Sequence, residues 1–275
     1  NLTLEKLSAD FRMKGKSMNS HQNPFAGNTP QDVTERQGEN AIFIVYKLNQ
    51  SPDSVEKVKD VCANFSALIR SMRNRFPDAQ FSSTISFGAD VWDRIFPGKG
   101  RPKELEVFKE IKGSKQIAVS TPGDILFHIR AKQMGLCYEF ASIIDEKLKG
   151  AVEAIDETHG FRYMDGKAII GFVDGTESPA VDENPYHFAV VGEEDPDIGD
   201  DLKIVRANMP FANTAKREYG TYFIGYASTF STTRQMLESM FIGNPVGNTD
   251  RLLDFSTAIT GTLFFAPSYD FLGEE

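Results

Sequence analysis

The sequence is short of positive charge, cysteine and long apolar runs, and each shortage closes off a class of protein. Its 30 Lys and Arg stand against 39 Asp and Glu, a net charge of −9 with a pI near 5.1. Nucleic acid and anionic membrane surfaces repel such a chain, so neither is an expected partner. Cys62 and Cys137 are the 2 cysteines in 275 residues, too few for a disulfide framework, and they point to a reducing cytoplasm. No run approaches the ~20 apolar residues of a membrane-spanning helix, and no charged-then-apolar leader opens the chain. A soluble, unexported protein is expected. The first residue is Asn1 rather than Met, which suggests that a longer chain precedes it. Hydrophobic residues make up 40%, enough for real cores in one large domain or two ordinary ones.

Residues 1–38 are polar, rich in Asn, Gln, Ser and Lys, and without a period, so they read as an arm over the body. "NAIFIVYKL" then reads as a strand feeding an amphipathic helix, with Ser51 or Ser54 as N-cap. Along that helix Val55, Val58, Val61, Phe65, Leu68, Ile69 and Met72 recur at helical spacing. "AQFSSTISFG" gives a strand, "ADVWDRIF" a short helix, "DILFHIRA" a strand, "QMGLCYEFASIIDEKLKG" a second amphipathic helix and "AVEAIDETHGF" a last strand. That is β-α-β-β-α-β, a ferredoxin-like unit over residues 39–160.

Residues 161–275 repeat the plan less regularly. "DLKIVRANMPF" and "EYGTYFIGYAS" read as strands, and "STTRQMLESMFIG" as a helix with Met236, Leu237, Met240 and Phe241 inward. "GTLFFAPS" closes the set as a strand. The expected class is α+β: two ferredoxin-like halves of the dimeric α+β barrel type, with antiparallel sheets and peripheral helices.

"IIGFVDGTESPAV", residues 169–181, carries the first candidate for chemistry. Gly175 can adopt φ > 0 and Gly171 lets backbone approach closely, so Asp174 either caps an Asx-type turn or is aimed out as a reactive carboxylate. In "IVRANMPF", Arg206 and Asn208 stand two apart in a strand and so share a face, although Arg206 also suits an ordinary strand surface. Trp92, Tyr222 and Tyr226 are candidate electron relays, but they read first as core or interface aromatics.

The phrases "VWDRIFPG", "RPKELEVF", "GFVDGTESP", "LKIVRANMPF", "EYGTYFIGYA" and "GNPVGNTDRLLDFSTAITGTLFF" occur in this order over residues 38–273. Together they resemble the dye-decolourising peroxidases, haem proteins of two ferredoxin-like halves. The resemblance implies haem b as cofactor and hydrogen peroxide with a small organic or dye-like reductant as substrates, reacting through a ferryl intermediate. It also implies a homo-oligomer. It places Asp174, Arg206 and Asn208 on the distal face of the haem. Asp174 would move the peroxide proton, Arg206 would hold the separating negative charge, and Asn208 would orient water or peroxide. Asp174, Gly175, Thr176, Arg206, Asp254, Leu263 and Phe265 would contact the cofactor. Of these, Asp254 resembles the carboxylate behind the proximal histidine, and Leu263 and Phe265 resemble apolar walls. Read by itself, Asp254 also suits a helix surface or cap. The other readings of the chain are a haem-handling protein with little turnover and a non-haem ferredoxin-like interaction module.

The metal ligand is where the sequence departs from the family. Between "GEEDP" and "LKIVR" the resemblance calls for a long insertion with the proximal histidine, whereas here "VGEEDPDIGDDLKIVR" runs straight through. None of His21, His128, His159 and His187 matches that position. Either the chain is a shortened variant, or further residues stand at the join of Asp197 and Ile198. The second is expected, because a deletion would strip a helix, the ligand and much buried surface yet leave the distal residues untouched.

Overall fold

The computed structural model describes residues 29–35, 38–171, 189–190 and 203–273. Strand β1 (Asn40–Leu48) leads to helix α1 (Pro52–Arg75), strand β2 (Ser82–Gly88) and the short helix α2 (Ala89–Ile95). A small hairpin, β3 (Ile111–Lys112) with β4 (Ile117–Ala118), precedes β5 (Ile125–Ala131), α3 (Met134–Leu148) and β6 (Val152–Phe161). The second half contributes β7 (Ala189–Val190), β8 (Lys203–Arg206), β9 (Met209–Asn213), β10 (Glu218–Tyr222) and β11 (Gly225–Ala227). Helix α4 (Phe230–Phe241), β12 (Phe264–Phe265) and α5 (Tyr269–Leu272) complete it.

The main sheet runs β12-β2-β5-β1-β6, antiparallel throughout. The four strands of the first half, β2-β5-β1-β6, have the ferredoxin-like order, and β12 of the second half extends the β2 edge by pairing Phe265 with Phe87. Helix α1 starts at Pro52, whose missing N–H costs nothing in the first turn. Ser51 occupies the N-cap position without a side-chain bond, and Ser54 lies buried inside the helix. The predicted stripe turns inward: Val58, Val61, Phe65, Ile69 and Met72 pack with α3 on the front of the sheet, against Ile42, Ile44, Ile85, Phe127 and Ile129. Cys62 and Cys137 lie in this core as free thiols that burial pushes up to about 12, so they are unreactive.

The back of the sheet is covered too, which is why β2 and β5 are buried along their whole length. Ala41, Phe43, Val45 and Leu126 meet Ala207, Met209 and Ile224, with Tyr222 and Tyr226 against them. Gly160 of β6 is required there, because a Cβ would stand 2.3 Å from Met209 Cγ. Rings stack through this layer. Tyr222 lies on Phe43 at 3.9 Å, Phe43 on His128 at 4.6 Å, and His128 beside Tyr226 at 6.1 Å, all within 16° of parallel. Tyr222 and Tyr226 are therefore interface aromatics, and Trp92 is sealed in the front core. A third cluster joins Phe108, Ile111 and Ala118 to Leu253 and to Phe241 of α4, with the half-buried Leu237 and Met240 packed against it, whereas Met236, expected inward, does not join it. Among the described residues no helix is long and apolar enough to cross a membrane.

Within the sequence's polar arm, Gln31 and Asp32 are buried. Residues alternate along β2, so the N–H groups of Ser83, Ile85 and Phe87 face its outer edge. Phe87 pairs with β12. Ile85 instead donates to Gln31 Oε1 at 2.8 Å and its carbonyl accepts from Gln31 Nε2 at 2.8 Å, while Ser83 N–H bonds Asp32 Oδ2 at 3.2 Å. The glutamine amide thus stands in for a peptide group of a neighbouring strand, and its Nε2 also reaches Pro267 O at 2.7 Å. Gln31→Leu should lower unfolding stability by about 1–3 kcal/mol, the cost of leaving a buried backbone group unpaired. Denaturant titration would show this as a lower midpoint at unchanged slope.

The same layer sets an acid sensitivity. Burial first, and Arg130 second, push protonation of His128 well below its ordinary range near 6.5. At pH values above that range both folded and unfolded chains hold a neutral ring. Below it the unfolded chain takes up a proton that the folded chain refuses, so stability falls with pH, by up to about 1.4 kcal/mol per unit. In His128→Gln, stability measured from pH 7 to pH 5 should lose that part of the slope.

Candidate active site

Arg206 ends β8, opposite Gly225 of β11, and is half-buried. Ladder pairing continues for one more step. Ala207 N–H donates to Ile224 O at 3.0 Å, and then Ile224 N–H is received by the Asn208 side chain, Oδ1, at 3.2 Å. A side-chain carbonyl replaces a backbone one, and the main chain is released to begin β9 at Met209. The sequence expectation of one unbroken strand carrying Arg206 and Asn208 on one face therefore stops at Arg206. What holds the Asn208 amide is this bond to Ile224 rather than strand alternation.

Asp254 ends a 3-10 turn, Arg251–Asp254, which Asp250 caps by accepting Leu252 N–H at 2.7 Å. Its Oδ1 lies 2.5 Å from Lys115 Nζ. The described histidines are elsewhere: His159 is exposed with Nε2 on Glu157, and His128 is buried with Nδ1 on Tyr226. Leu263 packs against both the front core and the α4 cluster, while Phe265 stands edge-on to Trp92 at 5.6 Å. Both side chains are thereby anchored on the first half. Asp174, Gly175, Thr176, His21, His187 and the join of Asp197 and Ile198 lie outside the described residues.

A cleft of about 530 Å³ opens between Ile169, Ile170, Tyr219 and Phe255. Tyr219 and Phe255 are each 62% exposed, so its walls are open to a ligand. The two isoleucines are half-buried. They precede Gly171, whose φ of +93° asks for glycine although a Cβ there would meet nothing within 4 Å. The sequence expectation of a close backbone approach at Gly171 is replaced by a need for positive φ. Phe255 adjoins Asp254. Sequence reasoning passed over Tyr219 and Phe255 because an exposed aromatic inside a strand or turn phrase carries no local signal of a shared cleft.

The fold is α+β with ferredoxin-like architecture, and its second half carries a cleft lined by Ile169, Ile170, Tyr219 and Phe255. The family model described as Dyp-type peroxidase, N-terminal, matches residues 30–162, and that described as Dyp-type peroxidase, C-terminal, matches residues 196–271. A dye-decolorizing peroxidase from Rhodococcus erythropolis is 39% identical over 305 residues, covering 89% of this chain and 88% of its own. One from Mycobacterium tuberculosis is 38% identical over 303 residues, covering 89% and 90%. Among solved structures, a dye-decolorizing peroxidase from Bacteroides thetaiotaomicron shares 67% identity at a TM-score of 0.83, covering 90% of this chain and 98% of that one. A DypB variant from Rhodococcus jostii in complex with heme shares 33% identity at a TM-score of 0.78, covering 89% and 98%. The chain belongs to the dye-decolourising, or Dyp-type, peroxidase family and is an enzyme of that type. Since 89% of 275 residues is about 245, about 60 of the 305 positions aligned with the R. erythropolis enzyme have no counterpart here.

Asn208→Leu should leave Ile224 N–H without its acceptor and destabilise the fold by about 1–3 kcal/mol, whereas Asn208→Asp keeps an acceptor oxygen and should lose less. Thermal unfolding of the two variants checks the difference, and equal losses would contradict it.

Proposed function

We propose that the cleft and its flanks are the peroxide-reducing centre of this enzyme, a haem peroxidase acting on hydrogen peroxide and a small organic or dye-like reductant. The observation that carries the assignment is the cleft's position. Beside Tyr219, its walls are Ile169 and Ile170, a few residues before Asp174, and Phe255, next to Asp254. The apolar lining and the volume suit a flat, largely apolar cofactor. Haem, when bound, supplies the redox chemistry, giving two electrons to peroxide and recovering them singly from the reductant.

The chain's own residues handle protons and charge. Asp174 as carboxylate accepts the proton of the attacking peroxide oxygen and returns it to the leaving oxygen, a general acid–base task. Arg206 keeps its charge at any working pH and offsets the negative charge that develops on the leaving oxygen. Asn208, its amide fixed by Ile224, orients peroxide or water. Ile169, Ile170, Tyr219 and Phe255 would give the cofactor an apolar surface to lie against. A residue that would hold the haem iron is not among the described residues, since both described histidines are engaged by Tyr226 and Glu157. Since none of the four histidines matches the family's ligand position, we assign that role to further residues at the join of Asp197 and Ile198. The aligned positions without counterpart support this. A homo-oligomer in the cytoplasm completes the reading, and the free thiols of Cys62 and Cys137 support a reducing compartment.

Spectroscopic titration should show uptake of one haem per chain, and failure to take it up would sink the assignment. On rapid mixing with peroxide, Asp174→Asn should slow the first spectral change at least about tenfold, a loss of roughly 1.4 kcal/mol or more of transition-state stabilisation. Arg206→Leu should slow the same step and Arg206→Lys less so. Wild-type rates in both Asp174→Asn and Arg206→Leu would remove these residues from the chemistry.

A further inference from the structure

On the back face of the main sheet, three side chains carry buried polar atoms without a hydrogen-bond partner among the described residues: Ser82 Oγ, His128 Nε2 and Arg130 Nε. All three residues are buried to within 1% of full cover. Their grouping follows from the register. Ser82 pairs with Arg130 and Thr84 with His128 across β2 and β5, so alternation puts all four on one face. Direct cross-strand neighbours lie about 5 Å apart and diagonal ones about 7–8 Å, within reach of a common point. A buried polar group left unpaired costs about 1–3 kcal/mol, and three beside one another are not tolerated without a shared partner.

We infer that one water molecule is bound at this point, accepting from Arg130 Nε–H and donating to His128 Nε2 and Ser82 Oγ. Three bonds are the usual complement of a buried water. A neutral ligand suffices. The other arms of the Arg130 guanidinium donate to the carbonyls of Glu35, at 2.9 Å, and Asp32, and the acidic groups of Asp32 and Glu35 face its charge.

Donation from this water makes Nε2 the acceptor nitrogen of the His128 ring. With Nε2 as acceptor, Nδ1 carries the proton and donates to Tyr226 Oη at 2.9 Å. The Tyr226 hydroxyl is then free to donate to Thr84 Oγ1 at 2.9 Å. Every donor from Arg130 to Tyr226 has an acceptor in this arrangement, and the chain runs one way, from Arg130 through water, His128 and Tyr226 to Thr84. It crosses from the first half to β11, the strand paired with β8 and Arg206. The site owes nothing to haem, so it stands or falls apart from the peroxidase centre.

A crystal structure of the protein should show one ordered solvent peak within ~2.7–3.2 Å of Ser82 Oγ, His128 Nε2 and Arg130 Nε. Nitrogen-15 NMR of the imidazole should report a protonated Nδ1 and an accepting Nε2 at neutral pH. Ser82→Val, which removes one partner and fills the space, should lower the number of long-lived internal waters counted by oxygen-17 relaxation by one. No solvent peak, a proton on Nε2, or an unchanged water count in folded Ser82→Val would each overturn the inference. The first two measurements use the wild-type chain and do not depend on the variant folding.

Discussion

Everything in the second half depends on the layer where its strands lie against the back of the first sheet. A single antiparallel sheet with helices on one face would leave Ala41, Phe43, Val45 and Leu126 in water, and the strands β8 to β11 are too short to hold a core by themselves. Each solves the other's problem. The fit is close enough that Gly160 tolerates no Cβ beneath Met209, and the ring stack from Tyr222 to Tyr226 fills the remaining depth. Area burial is the main driving term, at about 25 cal/mol per Å² of apolar surface, with aromatic geometry adding specificity.

That layer is apolar at one end and polar at the other. Towards β6 it is Phe43, Val45 and Met209; towards β2 it is Ser82, Thr84, His128 and Arg130, all buried. Burying such groups is costly unless they are bonded, and the chain meets the cost with geometry that spans both halves. Thr84 and His128 both hold Tyr226, and Arg130 holds the carbonyls of the 29–35 segment. Hydrogen bonds of this kind contribute little net stability but strongly disfavour any other register, since a one-residue slip would bury them unpaired.

The legible parts of the sequence were those where a local period decides. The stripe of α1, the strand-helix order of the first half and the inward face of α4 at Leu237, Met240 and Phe241 all followed from spacing. The rest is set by partners distant in sequence. Nothing local marks Gln31, 54 residues from Ile85, as the substitute neighbour of β2, and a polar residue in an aperiodic stretch reads as solvent-facing. Nothing local sends β12 to the edge of the other half's sheet. At the candidate site the motif phrases led to Arg206, Asn208 and Asp254, but the roles of Ile224 and Lys115 in holding two of them are tertiary facts. The cleft walls Tyr219 and Phe255 are separated by more than thirty residues and share no pattern.

The short strand β8 is where these two kinds of information meet. Its residues alternate, so Val205, paired with Tyr226, shares a face with Ala207 and points to the interface, whereas Arg206 points the other way. One face of the strand is therefore held by the buried layer and the other carries the half-buried Arg206. A four-residue strand has too few ladder bonds to be rigid alone. Its stiffness is borrowed from Tyr226, which is bonded to two residues of the first half, and from the Asn208 amide, which closes the ladder after the backbone has left it. A charge that must offset negative charge within a small distance is effective only if its mount does not move, because reorganisation during reaction would return the advantage to solvent. The interface thus fixes the mount on which Arg206 stands, and the side chains that serve it lie on the opposite face of the strand from Arg206.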